Sequence, residues 1–178
     1  MSNIEKKLLI EAFDSNWIAP IGPSLNQFEK DMSIYLGGCH TAAMSSGTAA
    51  IHLALKIIGI KEGDIVLCPS LTFIASANSI LYANARPIFI DSDVENGLIN
   101  LQCLELAIKK YKPKALITVD LYGYSCEYDT ILELCNKNNV HVIEDAAEAL
   151  GSEYKNKKCG TFGTLGIFSF NGNKIITT

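Results

Sequence analysis

A chain of 178 residues is long enough for one domain with a substantial core, and two complete domains are not expected. Its 15 lysines and arginines against 19 acidic residues give a formal net charge of −4 with no run of like charge, so nucleic acid is a poor candidate partner. The polar N-terminus, and the lack of any apolar run near the roughly 20 residues of a membrane span, predict a cytoplasmic protein without a membrane segment.

The N-terminal region, about residues 1–30, differs from the rest of the chain. Its run WIAPIGP (17–23) is stiff, interrupted by proline and irregular. We therefore expect an N-terminal arm that lies over the domain and takes no part in its sheet.

From about Thr41 onward, short apolar runs alternate with segments of helical period. This alternation predicts an α/β protein with a mostly parallel sheet, and runs that are apolar on both faces predict helices on both sides of it. The predicted strands are TAAMS (41–45), IVLC (65–68), PIFID (87–91), ALITVDL (115–121), VHVIED (140–145) and GIFSF (166–170).

Four helices are predicted between these strands from apolar residues that recur every three or four positions. The first begins near Thr48 and is closed by Gly59, and the second follows Thr72. The third precedes Pro113 and the fourth covers about 128–138. Their inward faces are predicted to carry Ile51, Ala54, Leu55 and Ile58; Ile74, Ala77, Ile80 and Leu81; Leu101, Leu104 and Ile108; and Ile131, Leu132 and Cys135. No linker or internal domain boundary is expected.

The cysteines and histidines show no ligand spacing. Six cysteines occur without a C-x-x-C pair, and three histidines lie far apart in sequence. Neither a zinc site nor a disulfide framework is expected, and the cysteines are predicted to be reduced structural thiols.

The segment SSGTAA (45–50) lies at the start of the first predicted helix. Small residues let the backbone approach a ligand closely, and the N–H groups of a helix N-terminus favour a phosphate. A Ser/Thr helix cap with a tight-turn glycine is the alternative reading. Neither a G-x-G-x-x-G fingerprint nor a Walker loop is present.

Two further features carry possible chemistry. Glu144 and Asp145 end a predicted strand, at the edge where α/β sheets bind ligands, although acidic strand ends often merely cap the next helix. Lys174 follows the last predicted strand and is a candidate imine-forming amine, although a lysine in a polar turn is usually a solvated surface group. A buried carboxylate needs a cationic partner, and a protonated pyridine nitrogen would be one.

Five motifs in unbroken order carry a family resemblance. They are SSGTAAIHLAL, PSLTFIASAN, RPIFIDSD, VIEDAAEALGS and GTFGTLGIFSFNGNKIITT. From about Trp17 to Thr178 the chain resembles the DegT/DnrJ/EryC1/StrS sugar aminotransferases, and most of all the members that act on UDP-linked 4-keto-6-deoxy sugars. The resemblance implies the pyridoxal 5′-phosphate (PLP) fold of the aspartate-aminotransferase type (fold type I).

The resemblance also implies roles for particular residues. Lys174 would bind PLP covalently and carry a proton between substrate and cofactor, and Asp145 would pair with the pyridinium nitrogen. Gly47, Thr48 and Ser169 would bind the cofactor phosphate. No residue is expected to bind a metal.

Two positions complete the implied site. Phe73 would stack on the cofactor ring, although without the resemblance it would be read as core. Glu148 departs from the glutamine or histidine of many relatives, so either its pKa is raised or the ring oxygen of PLP carries the proton that their hydrogen bond needs. The lysine at 174 favours transamination over dehydration, because the family's sugar dehydratases have histidine there.

The implied enzyme transfers an amino group from L-glutamate to a nucleotide-linked keto sugar, in surface-glycan or nonulosonic acid biosynthesis, and is a homodimer. Residues 1–178 would be its PLP-binding major domain, incomplete and without the small C-terminal domain of relatives. The alternatives are a truncated, non-catalytic fragment and a sugar-nucleotide binding module of flavodoxin-like or Rossmann type without transamination.

Overall fold

The computed structural model describes residues 3–17 and 19–177. The chain forms two compact units, the first up to Ala43 and the second from Met44. Among the described residues, no helix combines the length and the apolar character that a membrane crossing requires. All six cysteines are free thiols.

The first unit contains two helices, α1 (Asn3–Asp14) and α2 (Pro23–Tyr35). The described residues of the run at 17–22 form neither helix nor strand, as predicted, but the helices on both sides of this run were not predicted. That this region is an arm over the domain stays a prediction. Pro23 occupies the first position of α2, where a missing N–H costs nothing, so this proline starts a helix instead of interrupting one. Between the helices, Trp17 Nε1 donates to the carbonyl oxygen of Ile21 at 2.6 Å.

The second unit is built on five parallel strands, β1 (Ile65–Pro69), β2 (Arg86–Ile90), β3 (Ala115–Val119), β4 (His141–Asp145) and β7 (Leu165–Ile167). Their order in the sheet is β2-β1-β3-β4-β7. Two short strands, β5 (Glu153–Tyr154) and β6 (Lys157–Lys158), form a separate antiparallel pair. The predicted α/β class with a mostly parallel sheet is confirmed.

One predicted strand is absent. Residues 41–45 form no strand, and Ser46, with φ −165° and ψ 160°, continues as extended backbone into the next helix. Small apolar residues suit a strand, but an extended segment becomes one only when a neighbouring strand provides hydrogen-bond partners. The last strand is also shorter than predicted, because the chain leaves the sheet after Ile167.

All four predicted helices are present, as α3 (Gly47–Ile57), α4 (Ala75–Tyr82), α5 (Leu101–Tyr111) and α6 (Tyr128–Lys137), and a 3₁₀ turn covers Leu121–Gly123. Gly59, with φ +79°, follows the end of α3 as predicted. The inward face predicted for α4 is wrong at Ile74 and Leu81, which are exposed. Because α4 begins only at Ala75, its buried face carries Ser76 and Ser79 beside Ala77 and Ile80.

The core lies in two layers on opposite faces of the sheet. Helices α3 and α4 pack on one face, against strand residues that include Val66, Ile117 and Ile143. Helices α5 and α6 pack on the other, against Leu67, Leu116 and Val142. Since successive strand residues point to opposite faces, Asp145 shares the face of Ile143, whereas Glu144 shares that of Val142.

Candidate active site

The candidate site lies at the carboxyl edge of the parallel sheet. Phe73 follows β1, Tyr122 follows β3, Glu148 follows β4 and Lys174 follows β7. Because the strands are parallel, segments that are distant in sequence leave the sheet at the same edge.

Lys174 lies at the centre of this group. Its Nζ is 3.0 Å from Oε1 of Glu148 and 5.9 Å from the centroid of the Phe73 ring, and its side chain is 13% exposed. Phe73 itself is 70% exposed, so one ring face is open to a ligand. The structure thus brings together three residues that the sequence predicts for one site.

Both carboxylate oxygens of Glu148 accept a hydrogen bond. Its Oε2 accepts from the backbone N–H of Tyr122 at 3.0 Å, while Oε1 faces Lys174. Burial alone would raise the pKa of Glu148, but the Tyr122 N–H and the hydrogen bond and charge of Lys174 together lower it. Of the two alternatives for Glu148, a raised pKa is therefore not found.

Asp145 ends β4 and is only 6% exposed. Its Oδ2 accepts from the Ser76 hydroxyl at 2.8 Å, and its Oδ1 accepts from the Ala147 N–H at 3.3 Å. Burial raises the pKa of Asp145, while Ser76, Ala147 and the charge of Lys174 oppose that rise. Oδ1 of this buried carboxylate therefore has only one long hydrogen bond and can accept another. A nearby cation would stabilise the charge of the carboxylate.

The predicted phosphate turn is the N-terminus of α3. Ser46 caps the helix, since its hydroxyl accepts from Ala49 N–H at 3.1 Å, so the cap reading of this segment holds. A Cβ built on Gly47 would lie 3.9 Å from Cβ of Ser169, which places the turn beside the third predicted phosphate ligand. The N–H groups of Gly47 and Thr48 have no acceptor within the helix, as in the first turn of any helix.

The neighbour of Asp145, Glu144, has a structural role. Its Oε1 accepts from Gly160 N–H, and its Oε2 accepts from Phe162 at 2.8 Å and Gly163 at 3.2 Å. A side chain on Gly166 would collide with the Gly160 carbonyl, so this loop also needs its glycines for close packing. Glu144 therefore holds the loop that leads into β7 and to Lys174.

Glu144 shares its buried position with Asp120. Oδ1 of Asp120 accepts from Cys126 N–H at 3.0 Å and from the Tyr128 hydroxyl at 2.9 Å, but Oδ2 has no hydrogen-bond partner among the described protein atoms. Ligand atoms of Asp120, Glu144 and Cys159 lie within 4.8 Å of one another.

Two buried carboxyls this close together favour a shared proton. Burial is the largest cause that raises the pKa of Glu144 to about 7, the charge of Asp120 adds to the rise, and the N–H groups of Gly160, Phe162 and Gly163 oppose it. Burial also raises the pKa of the Cys159 thiol to about 12.

Two site residues were missed by the sequence analysis. Ser76 contacts Asp145, and Tyr122 contacts Glu148 with a backbone of φ +52°. Ser76 lies in a helix that also carries Asn78 and Ser79, so its residue type gives no distinct signal of the contact with Asp145. Tyr122 acts through its backbone, so its residue type carries no signal.

The chemical groups at this site match those that PLP requires. An amine for the aldehyde, a buried carboxylate for the ring nitrogen, an open aromatic face and a helix N-terminus for the phosphate lie along one edge. A cavity of about 510 Å³ lies elsewhere, near His141 and Thr164 at the opposite end of β4, and carries none of these groups.

A parallel α/β sheet with a lysine, a buried carboxylate and a helix N-terminus at its carboxyl edge defines a protein built to bind an anionic cofactor with a reactive carbonyl. The chain belongs to the DegT/DnrJ/EryC1/StrS aminotransferase family, whose model matches residues 1–178. The family resemblance found in the sequence is thereby confirmed.

Individual relatives agree with this assignment. The chain is 54% identical over 183 residues to EpsN of Bacillus subtilis strain 168, which is named as a candidate pyridoxal phosphate-dependent aminotransferase, and covers 47% of it. It is 45% identical over 174 residues to GDP-perosamine synthase of Caulobacter vibrioides, again covering 47%. These alignments include 100% and 98% of the present chain.

A solved structure has the same fold. The PLP form of Spr1654 from Streptococcus pneumoniae, named as a candidate sugar aminotransferase, matches with a TM-score of 0.93 at 29% identity. The match covers 99% of this chain and 48% of that one. The chain thus spans about half the length of the relatives it matches.

Proposed function

We propose that the whole protein is a PLP-dependent aminotransferase that transfers the amino group of L-glutamate to a UDP-linked 4-keto-6-deoxy sugar, in surface-glycan or nonulosonic acid biosynthesis. The observation that carries this proposal is the convergence of Lys174, Glu148 and Phe73 at the edge where Asp145 ends its strand. We infer that residues 1–178 supply its PLP-binding domain.

PLP, when bound, supplies an electron sink that lets an amino group pass from donor to acceptor. Lys174 Nζ binds the cofactor and moves the proton at the reacting carbon. Glu148 Oε1 is placed to accept a hydrogen bond from Lys174 Nζ. Asp145 provides the buried negative charge for the ring nitrogen.

The remaining residues hold the cofactor in place. N–H groups of Gly47 and Thr48, with the Ser169 hydroxyl, bind its phosphate, and Phe73 covers one face of its ring. Together they position the cofactor between the lysine and the buried carboxylate.

The nucleotide is the least determined part of the substrate. The motif resemblance favours UDP, whereas the similarity to a GDP-perosamine synthase favours GDP as a second candidate. Both belong to one class of substrate, a nucleotide diphospho-sugar with a keto group.

We also propose that the enzyme is a homodimer. Phe73 and Tyr122, two large aromatic residues beside the Lys174–Glu148 pair, are 70% and 79% exposed. A second subunit that covers them would exclude water from the site. Light scattering of the whole protein should therefore give twice the monomer mass.

One experiment separates this function from its rivals. The whole protein is purified with PLP, reduced with borohydride and digested, and we expect the pyridoxyl group on Lys174. The untreated protein is then assayed with L-glutamate against UDP-, GDP- and dTDP-linked keto sugars, with release of 2-oxoglutarate as the readout. Labelling at Lys174 without turnover would support a catalytically inactive protein, and no labelling would support a binding module.

A further inference from the structure

Ser76 makes a long-range hydrogen bond that the proposed function does not yet use. It lies in the first turn of α4, is fully buried, and donates from Oγ to Oδ2 of Asp145 at 2.8 Å. The hydroxyl of Thr72 lies 2.9 Å from the same Oγ. Because an ionised Asp145 can only accept, Ser76 donates its one proton to Asp145. A hydrogen bond between Thr72 and Ser76 then has the Thr72 hydroxyl as its donor, and the Phe73 carbonyl, 3.3 Å from that hydroxyl, is the alternative acceptor.

This bond determines which oxygen of Asp145 is occupied. Oδ2 takes the strong contact, and Oδ1 has only the 3.3 Å contact to Ala147 N–H. Among the groups that oppose the burial-induced rise in the pKa of Asp145, Ser76 is the largest, ahead of Ala147 and the charge of Lys174. Glu148 is the other charged group that acts on Asp145, and it raises this pKa.

Ser79 shows what an ordinary buried serine on the same helix face does. It is also fully buried, and its hydroxyl donates back to the Ala75 carbonyl at 2.7 Å, within its own helix. Its second contact is with the Thr48 carbonyl at 3.1 Å. Ser76 differs because it bonds a carboxylate 69 residues away in sequence.

The segment before α4 also supplies the aromatic side chain of the site. Phe73 lies between Thr72 and Ser76, and its ring is 5.9 Å from Lys174 Nζ. One short segment therefore places both the group proposed to cover the cofactor ring and the hydroxyl that orients the carboxylate at its nitrogen.

We propose that Ser76 is a positioning residue that fixes the Asp145 carboxylate through Oδ2 and leaves Oδ1 to accept from the cationic ring nitrogen of the cofactor. The positioning role of Ser76 rests on the proposed function. The effect of Ser76 on the pKa of Asp145 is independent of that function, because the hydrogen bond between them is present in the protein alone.

The test uses four variants of the whole protein: Ser76→Ala, Ser76→Cys, Ser76→Thr and Ser79→Ala. The first readout is the titration midpoint of the Asp145 carboxyl, followed by carbon-13 NMR in protein freed of cofactor. A hydrogen bond to a charged group has about the strength to move this midpoint by one pH unit, a tenfold change in proton affinity. We expect Ser76→Ala and Ser76→Cys to raise the Asp145 midpoint by about that amount. Ser76→Thr keeps the hydroxyl and should keep the wild-type midpoint.

Ser79→Ala is the matched control, since it removes a buried hydroxyl from the same helix face. It should lower thermal stability as Ser76→Ala does but leave the Asp145 midpoint in place. If Ser79→Ala moves the midpoint equally, or Ser76→Ala and Ser76→Cys leave it unchanged, Ser76 serves packing only and the proposal is wrong. Ser76→Cys fills the space of the serine side chain without its strong hydrogen-bond donor. If the alanine variant does not fold, the Asp145 midpoint of Ser76→Cys is the test of the proposal.

The second readout is the single-turnover rate of the first half-reaction, in which L-glutamate transfers its amino group to the bound cofactor, followed by cofactor absorbance. We expect the maximal rate constant of this half-reaction to fall about tenfold in Ser76→Ala with little change in the apparent Kd of L-glutamate, because the ring nitrogen loses its oriented partner. An unchanged rate constant despite a moved midpoint would overturn the positioning role. Failure of wild-type protein to bind PLP would overturn the proposed function while leaving the NMR result intact.

Discussion

Replacing Asp120 by asparagine should flatten the dependence of stability on pH. In the wild type, the Asp120 and Glu144 carboxyls are fully buried close together, and Oδ2 of Asp120 lacks a partner among the described protein atoms. A proton shared by the two groups would satisfy that oxygen. An asparagine amide can donate to Glu144 in place of the proton, and its oxygen can still accept from Cys126 and Tyr128.

The sign and size follow from the pKa of Glu144, which rises from 4.5 to about 7. A raised pKa means that the protonated form is favoured in the fold, so the associated stability is complete below about pH 4.5 and is lost as the pH rises to about 7. At about 1.4 kcal/mol per tenfold change in proton affinity, the loss is about 3 kcal/mol. For 178 residues that equals roughly 6–12 °C in Tm, and for a protein of twice that length about half as much, because the entropy of unfolding grows with size.

Thermal unfolding between pH 5 and pH 8 measures this effect in the whole protein. The difference in Tm between Asp120→Asn and wild type should grow with pH in favour of the variant, while Asp129→Asn, which changes an exposed carboxyl paired with Lys155, should give no such trend. Parallel Tm curves for wild type and Asp120→Asn would refute proton sharing. So would a stability that rises with added Zn²⁺ and falls with a chelator, since the cluster with Cys159 would then hold a metal.

Four further predictions concern the site and the chain. Lys174→Ala should lower transamination by more than about 10²-fold with an unchanged near-UV spectrum, whereas Lys155→Ala should keep full activity; an active Lys174→Ala variant would exclude this lysine from the chemistry. Asp145→Asn should slow proton abstraction by about 10²-fold while PLP affinity, measured by absorbance, changes little, and the reverse pattern would contradict its pairing with the ring nitrogen. Glu148→Gln should lower activity only slightly near neutral pH. Because the pKa of Glu148 is lowered, its carboxylate stays ionised in the wild type until the pH falls below the ordinary carboxyl range, and only there should wild-type activity lose the contribution of this charge. A collapse of activity at pH 7 in the variant would indicate proton transfer by Glu148. Expressed alone, residues 1–178 should be poorly soluble and inactive, because β7 pairs only with β4 among the described strands; a cooperative melting curve with turnover would disprove this.

The central sheet was predictable because each strand is buried between two helical layers. The runs IVLC and ALITV are apolar on both faces, which only a doubly covered strand tolerates. Residues 41–45 are smaller and less apolar, but their extended backbone lacks a strand mainly because strand formation depends on a partner that composition does not report. Helix α2 was not predicted because proline usually interrupts regular structure, although Pro23 stands where a helix accepts it. Proline does not explain the missed α1, which contains none.

The linked motifs allowed Lys174 and Asp145 to be placed near one edge of the sheet, and their roles stay predictions. The contact of Ser76 with Asp145 was not predictable, because the fold makes it between residues that are 69 positions apart in sequence. The face that α4 turns toward the sheet decides that contact: the sequence predicts Ile74 and Leu81 on this face, whereas in the structure both are exposed and Ser76 is buried.

Strand alternation separates the two adjacent carboxylates. Asp145 faces α4 and its serine, while Glu144 faces Asp120 and the loop at 160–163 on the other side of the sheet. A substitution of Glu144 would therefore loosen the loop that leads to Lys174 and lower activity without touching a reacting atom. Glu144→Gln would place an amide N–H₂ against backbone N–H groups, so its loss of activity should be accompanied by a lower Tm, whereas Asp145→Asn should lose activity at nearly unchanged Tm. The ratio of activity loss to Tm loss thus distinguishes the carboxylate proposed to pair with the cofactor from its structural neighbour.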